Sequence, residues 1–425
     1  MTYHLIGIRG SAMSGVAALL RAQGHVVRGS DLSETGHRAT NITSDIDRVV
    51  YTPAVTPGSP GWVELEAAKR VGIPALRLDE MQAELTKDAT LMAVTGTHGK
   101  SSTTAMLAHV LEVTGRNPSV LLGAPIPAWE GRNYRVGNPS LWVVEADEYK
   151  RKFLTLSPTV AVITNVEFDH ADVYRDLADV ESAFAAFVDR VRPGGTVIAH
   201  AEPAVDVVLG RTPEGVSIIR YGAQYDYRPE LLPKLRVLGD HQRLNATAVL
   251  AAAEVLGVSR EDALTALGSF GGVGRRLEYI GERDGVIVYD DYGHHPTEVR
   301  ASLAAFRSAF PDRRRVVAFQ PHQHSRVHAL FAEFAAAFGD ADKVLLADVY
   351  AVPGRNEGIE VDAGELADAI RGHGVDVIHV GSLESLTSVL RRELRPGDAF
   401  LTVGATDITN VGRVWVSEGS HGTAS

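Results

Sequence analysis

Residues 93–104, AVTGTHGKSSTT, constrain this chain more than any other segment. An apolar run at 91–94 leads into them, and a helix-like stretch at 103–113 follows. A strand, a tight glycine loop, a lysine and then hydroxyl residues at a helix start form a cradle for a nucleoside triphosphate. Backbone N–H groups and the positive end of the helix face the phosphates, the lysine reaches the terminal ones, and a hydroxyl binds Mg²⁺. The spacing is shorter than G-x-x-x-x-G-K-[ST], because Val94 stands where the first glycine of that pattern falls. A glycine-rich turn before a helix can be turn geometry alone. Lys100 and Ser101, in register behind a strand, favour phosphate binding. The residues expected around ATP here are Gly96, Thr97, His98, Gly99, Lys100, Ser101 and Ser102.

Composition narrows the class. A chain of 425 residues has length for two to four domains, and 45% hydrophobic with 22% charged residues is an ordinary globular balance. A net charge of −11 argues against general binding to nucleic acid or to acidic membranes. With no cysteine, disulfides, thiolate metal sites and cysteine nucleophiles are excluded. The opening MTYHLIGIRGSAMSG has no basic leader and reads as a first strand, and no apolar stretch approaches the roughly 20 residues of a membrane span. A cytoplasmic protein, monomeric or homodimeric, is expected.

Three blocks follow from the hydrophobic pattern. Residues 1–88 alternate short strands (3–8, a second ending at Asp31, 48–51) with helices (13–22, 62–71), as in a small Rossmann-like nucleotide-binding domain. Residues 89–272 carry the phosphate loop, apolar strands at 141–144 and 160–164, and an alanine-rich helix at 245–256. Residues 273–425 reset the pattern, with strands at 286–289, 316–319, 343–347, 375–380 and 399–403. Helices at 298–310, 327–338, 363–371 and 383–394 separate them, which predicts a second Rossmann-like, mainly parallel sheet. The last five residues, HGTAS, read as a frayed tail. The fold class is therefore α/β, with a P-loop ATPase-like centre between two Rossmann-like domains.

The chemistry-bearing residues cluster at strand ends. The first turn, GIRGSAMSG, is a dinucleotide-type fingerprint whose candidates are Gly7, Arg9, Gly10, Ser11 and Met13. Ser30 and Asp31 end the next strand, where a hydroxyl or carboxylate meets a ribose or base edge. Glu145-Ala146-Asp147-Glu148 and Asn165-Val166-Glu167-Phe168-Asp169-His170 each follow a strand, on the sheet edge that carries the phosphate loop. Mg²⁺ prefers carboxylate and hydroxyl oxygens, so Ser101 and Glu145 are natural ligands and His170 a candidate ligand to a second ion. Strand-end acids also occur as solvated turn residues. Arg275-Arg276 is either a solvated hinge or, through an arginine at a domain junction, a phosphate clamp. In 290–296, DDYGHHP, adjacent histidines converge poorly on one ion, so a nucleotide-contact loop is the better reading. Arg326, in QPHQHSR at 320–326, is placed to grip a small carboxylate.

Together GTHGKSSTT, VVEADEY, ITNVEFDH, GDHQRLNA, GVGRRLEY, YDDYGHHPTE, FQPHQHSR and the late VGATD resemble the Mur ligase family, the ATP-dependent amide ligases of peptidoglycan precursor synthesis. The resemblance spans essentially the whole chain and is strongest to the branch that adds L-alanine to UDP-N-acetylmuramate. It implies three domains that bind, in order, the UDP-sugar, ATP and the incoming amino acid. It also implies an acyl phosphate, formed when the substrate carboxylate attacks the γ-phosphate and consumed when the amine of L-alanine attacks. By motif match Lys100, Glu145, His170 and Arg276 would be catalytic, with one or two Mg²⁺ on Ser101, Glu145 and His170. Asn245 and Tyr292 would contact adenine, Arg276 the phosphates, Asp291 and His294 the nucleotide, and His322 and Arg326 would lie near the amino acid.

Four departures from the family pattern stand out. Arg9, Ser11 and Ala12 interrupt a first turn that is usually GIGGxGMSG, and one helix–strand unit is missing after Asp31. PHQHSR replaces the usual PHRYSR or PHRYTR, so Gln323 removes a guanidinium. Phe184 lies where some sister ligases carry a carbamylated lysine, which fits the L-alanine branch. EFDHADVY leans toward a recycling ligase that attaches a whole murein tripeptide, whereas FQPHQHSR and DDYGHHPTE lean toward L-alanine addition. A degenerate nucleotide-binding regulator is a further alternative, and intact Lys100, Glu145, His170 and Arg276 argue against it.

Overall fold

The computed structural model describes residues 1–33, 35–352 and 358–418; the HGTAS tail lies outside them. The strands form three sheets, one in each block of the sequence. The first joins β1 (Thr2–Ile6), β2 (Val26–Ser30), β3 (Arg48–Tyr51) and β4 (Ala75–Arg77) in the order β2-β1-β3-β4, all parallel. Because the chain leaves β1 to one side and later returns to the other, the turn after β1 sits at a topological switch point, where such sheets bind ligands. Val49, Val50 and Leu5 are fully buried under the helices Ser11–Ala22 and Trp62–Val71.

The second sheet contains β5 (Thr90–Thr95), β6 (Pro118–Ile126), β7 (Arg132–Arg135), β8 (Asn138–Glu145), β9 (Val160–Ile163), β10 (Thr196–His200) and β11 (Ser217–Tyr221). Its order is β11-β10-β9-β5-β8-β6-β7, parallel except for the antiparallel β6–β7 pair. Strand β5 is central and buried, and the helix Lys100–Val113 follows it directly. The helix start lies three residues before the predicted one, because Gly99 in the left-handed region (φ 80°) closes the loop. The first domain rests on this sheet. Gly15, in the helix Ser11–Ala22, packs so closely that a Cβ there would meet Leu121 of β6 at 2.9 Å and Tyr134 of β7 at 3.0 Å. At the other edge of that contact, Arg192 donates to the carbonyls of Thr86, Lys87, Ala89 and Ser157.

The third sheet orders β12 (Glu278–Arg283), β13 (Val286–Asp291), β14 (Arg315–Phe319), β15 (Lys343–Ala347), β16 (Val377–Gly381) and β17 (Ala399–Val403) as β12-β13-β17-β14-β15-β16. All pairs are parallel except the β12–β13 hairpin, whose turn holds Asp284 and Gly285 at positive φ. Two predicted helices change. The one expected at 327–338 divides into His324–Ala329 and Phe331–Ala335, with Leu330 (φ −119°) breaking the ladder between them. The alanine-rich helix begins at Asp240 and ends at Val255, preceded by Gly239 at φ 100°. By contact density the chain forms two compact units, one of residues 1–166, 181–231 and 246–267, the other of the remainder.

Candidate active site

The first unit holds the phosphate loop. Gly96 has φ 141°, and a Cβ there would meet the Thr164 hydroxyl at 1.9 Å, so no other residue fits. Asn165, at the end of β9, braces the loop: its carbonyl accepts from Thr97 N at 3.1 Å and its side-chain oxygen from His98 N at 2.8 Å. The first turn of the helix Lys100–Val113, with Ser101 and Ser102, then presents its N–H groups and the positive end of its dipole. Lys100 folds back over the loop, donating to the carbonyls of Gly96 at 2.6 Å and Thr97 at 3.0 Å and pairing with Glu148 at 2.8 Å. Burial alone would lower the pKa of this lysine, but Glu148, Asp147 and Glu145 outweigh it and raise the value, so the ammonium persists.

Glu145 ends β8 beside the loop. Ser101 donates to its Oε1 at 3.1 Å and Gly123 N to its Oε2 at 2.6 Å. Burial raises its pKa against those donors and Lys100, so an added cation would be matched to a carboxylate short of positive charge. A hydroxyl and a carboxylate oxygen side by side at a helix start suit a hard divalent ion such as Mg²⁺. Phe184 is fully buried and packs edge-on against Phe153 at 5.3 Å, so an aromatic core fills the region where a modified lysine would lie.

The same unit holds the turn after β1. Gly7 (φ 78°) makes that turn and donates from its N–H to the Ser30 carbonyl at 2.8 Å. A Cβ on Gly10 would lie 3.2 Å from the Gly7 carbonyl. Arg9 and Ser11 are exposed at the mouth, and Asp31 accepts from Arg9 N at 3.2 Å. Hydrogen bonds from the backbone and side chain of Ser33 hold the Asp31 carboxyl below its ordinary range. Two expected contacts turn inward. The Met13 side chain is fully buried in the core of its helix, and the Ser30 hydroxyl is buried against Glu64 at 2.7 Å. Helical and strand periodicity place both on inner faces, a consequence the motif alone does not carry.

The second unit holds the remaining candidates. Arg326 is 3% exposed and its guanidinium forks onto Asp169, Nε to Oδ1 at 2.8 Å and Nη2 to Oδ2 at 3.2 Å. Its third nitrogen donates to Nδ1 of His322 at 3.2 Å, and the His322 ring stacks on Tyr350. The fork expected to grip a substrate carboxylate is thus occupied by a carboxylate of the chain itself. Burial opposes the ionised Asp169, yet Arg326 holds its carboxyl well below the usual range. His170 follows at φ 56°, a left-handed conformation costly for a residue with a side chain.

Around the loop after β13, the two arginines divide their work. Arg275 donates to the carbonyls of Gly404 and Thr406 and pairs with Asp290, which makes it a structural staple. Arg276 lies 3.6 Å from Glu298 and 5.0 Å from the Tyr292 ring centre. Asp291 spends both oxygens on the chain, accepting from Gly293 N, Leu277 N and Ser302, so it anchors the loop after β13. Burial pushes its carboxyl up to about 6. His294 stands against Tyr292 and His322, and burial lowers its pKa to about 3, leaving a neutral ring. Asn245 is 7% exposed on the helix Asp240–Val255, one turn from Gln242. Sequence reading placed Asn165, Glu148 and Asp169 in strand-end clusters without giving them these partners, and did not single out Glu64. Their residue types were in view, but pairing across strands has no linear spacing.

Comparison with known proteins was informative for the whole chain. Residues 2–90 match the family described as Mur ligase family, catalytic domain; 94–228 match the Mur ligase middle domain; and 275–406 match the Mur ligase, glutamate ligase domain. The UDP-N-acetylmuramate–L-alanine ligase of Nitratidesulfovibrio vulgaris is 38% identical, the alignment covering 98% of each chain. Its 453 aligned positions exceed the 425 residues present here, so the alignment opens gaps in this chain. Among solved structures, the UDP-N-acetylmuramate–alanine ligase of Thermotoga maritima matches with TM-score 0.79 and 29% identity over 98% of this chain and 99% of that one. A murein peptide ligase from Psychrobacter arcticus shares the fold, with TM-score 0.71 and 24% identity over the full length of both.

Proposed function

Because this chain belongs to the Mur ligase family, we propose that it joins L-alanine to the carboxyl group of UDP-N-acetylmuramate with cleavage of ATP to ADP and phosphate. The observation that carries this reading is the phosphate loop with Lys100 over it and the Ser101–Glu145 oxygen pair beside it, in a chain 38% identical over nearly its full length to such a ligase. The murein tripeptide reading is less supported, since the peptide ligase of Psychrobacter arcticus supports the fold alone. A reaction that consumes ATP fits a protein of the cytoplasm.

The reaction needs two displacements. A carboxylate oxygen of the sugar-nucleotide attacks the γ-phosphorus, and the bond to the ADP oxygen breaks. The amine of L-alanine then adds to the acyl phosphate carbonyl, and the tetrahedral intermediate expels phosphate as the amine loses its proton. Lys100 neutralises charge on the transferring phosphoryl group, and the helix start at Ser101 and Ser102 holds the adjacent phosphates. Ser101 and Glu145 would hold a Mg²⁺ ion, with His170 a candidate ligand to a second, and the metal would supply charge neutralisation for the same transfer. Arg276 serves the phosphates, and Asn245 and Tyr292 the adenine, with Asp291 and His294 shaping that loop. The sugar-nucleotide occupies the turn of Gly7, Arg9, Gly10 and Ser11 beside Asp31. The amine substrate lies by His322 and Arg326, whose pairing with Asp169 makes that carboxylate part of the pocket. The functional division is 1–88 for the sugar-nucleotide, 89–272 for ATP and 273–425 for the amino acid.

Phosphate release from ATP, Mg²⁺ and UDP-N-acetylmuramate tests this directly when L-alanine, glycine, L-serine and murein tripeptide are compared as amines. Turnover greatest with L-alanine is expected. Release with tripeptide alone would transfer the assignment to recycling, and release with none would refute the ligase reading.

A further inference from the structure

A buried carboxylate stands behind the first turn, outside every motif that led to the proposed reaction. Glu64 lies in the first turn of the helix Trp62–Val71 and its side chain is 0% exposed. An isolated buried charge is costly, and five donors or imidazole nitrogens surround this one. His4 Nε2 of β1 is 2.8 Å from Oε2 and the Ser30 hydroxyl donates to the same oxygen at 2.7 Å. Oε1 accepts from Asn41 Nδ2 at 2.7 Å and from Arg38 N at 3.1 Å, with His37 Nδ1 at 3.3 Å. Burial would raise the Glu64 pKa, but the hydrogen bonds from His4, Ser30 and Asn41 bring it down to about 2. The carboxylate is therefore a permanent anion at working pH.

What it holds is specific. Ser30, gripped by Glu64 through its hydroxyl, accepts through its carbonyl from Gly7 N at 2.8 Å and Ile8 N at 3.0 Å. Asp31, the next residue, accepts from Arg9 N. The other oxygen fixes the segment from His37 to Asn41, which follows Asp31 in the chain. One carboxylate thus ties together the glycine turn, the end of β2 and the segment beyond it. We infer that Glu64 is a positioning residue of the sugar-nucleotide pocket, which sets the turn at 7–9 through Ser30 and the segment at 37–41 through His37 and Asn41. This rests on the assignment of that turn to UDP-N-acetylmuramate.

The test is steady-state kinetics of the full chain, wild type against Glu64→Gln, which keeps the volume and removes the charge. The KM for UDP-N-acetylmuramate should rise about tenfold or more, with kcat and the KM values for ATP and L-alanine within about twofold of wild type. His37→Ala removes one tether and leaves the rest, so it should raise the same KM by about threefold even if the glutamine variant fails to fold. An unchanged KM for the sugar-nucleotide in the folded variants overturns the inference, as does an equal rise for all three substrates beside a lowered Tm. Wild-type protein that does not turn over UDP-N-acetylmuramate refutes the reaction itself, a separate outcome.

Discussion

Lys100 is buried among Glu145, Asp147 and Glu148, and is held by Glu148 and two loop carbonyls. In the proposed reaction a triphosphate would take the place of that carboxylate beside Lys100. Lys100→Ala is expected to lower kcat by about a thousandfold in the phosphate-release assay, with the circular dichroism of the folded protein retained. The Asp169–Arg326 pair is a different kind of residue-level commitment. Both groups are buried, so Asp169→Asn leaves a guanidinium without its counter-charge and should cost about 3–5 kcal/mol in chemical denaturation. Replacing both partners, as Asp169→Asn with Arg326→Met, should recover part of that loss while turnover stays impaired. The sequence placed Arg326 after a strand, where it was expected to grip the carboxylate of a small substrate; in the structure its fork holds Asp169. Its present carboxylate lies 157 positions away, a pairing that only the folded chain brings together.

At the scale of elements, Arg192 connects what the sheets leave separate. Its fork reaches the last carbonyls of the helix Leu78–Thr86 and the segment before β9, groups that no strand ladder satisfies. Arg192→Ala should lower stability by about 2–4 kcal/mol, and lysine should not restore it, since three donors on one nitrogen cannot reach the four carbonyls that the spread guanidinium spans. Thermal unfolding of the three proteins checks this. Most parallel strands were legible because buried strands read as apolar runs, as with β3, β15 and β17, whose predicted bounds match the observed ones. The edge strands β7 and β12 were not, nor were the interior strands β6 and β10. β7 reads RNYR and β12 reads EYIGER, polar on their open sides, so periodicity gives them no contrast. The Asp284-Gly285 turn did mark the β12–β13 hairpin and went unused. Site loops were legible for another reason: phosphate chemistry demands particular residues in consecutive order, whereas their braces come from other strands.

Over the whole molecule, buried titratable groups set the pH range of stability. His241 and His294 are neutral in the fold, with burial bringing them from 6.5 to about 4 and about 3. Their contribution is present above pH 6.5 and is lost as pH falls through those lower values, because the unfolded chain binds the protons first. Glu64, lowered from 4.5 to about 2, has the same sign over a more acidic window. Asp291, raised from 3.8 to about 6, acts oppositely and favours the fold below that range. Between pH 6.5 and pH 4 the two histidines outweigh Asp291, which predicts a Tm that falls by roughly 5 °C, measured by calorimetry. The close seat of Gly15 on Leu121 and Tyr134 has a consequence of another kind. The helix that begins at the turn after β1 is pressed onto the same sheet that carries the loop at Lys100, so the interval between those two turns is built into the framework. It acts as a gauge block. In the proposed reaction, a donor whose acid group sits too near its nucleotide, or too far from it, would present an oxygen off the line of attack however tightly its two ends are held.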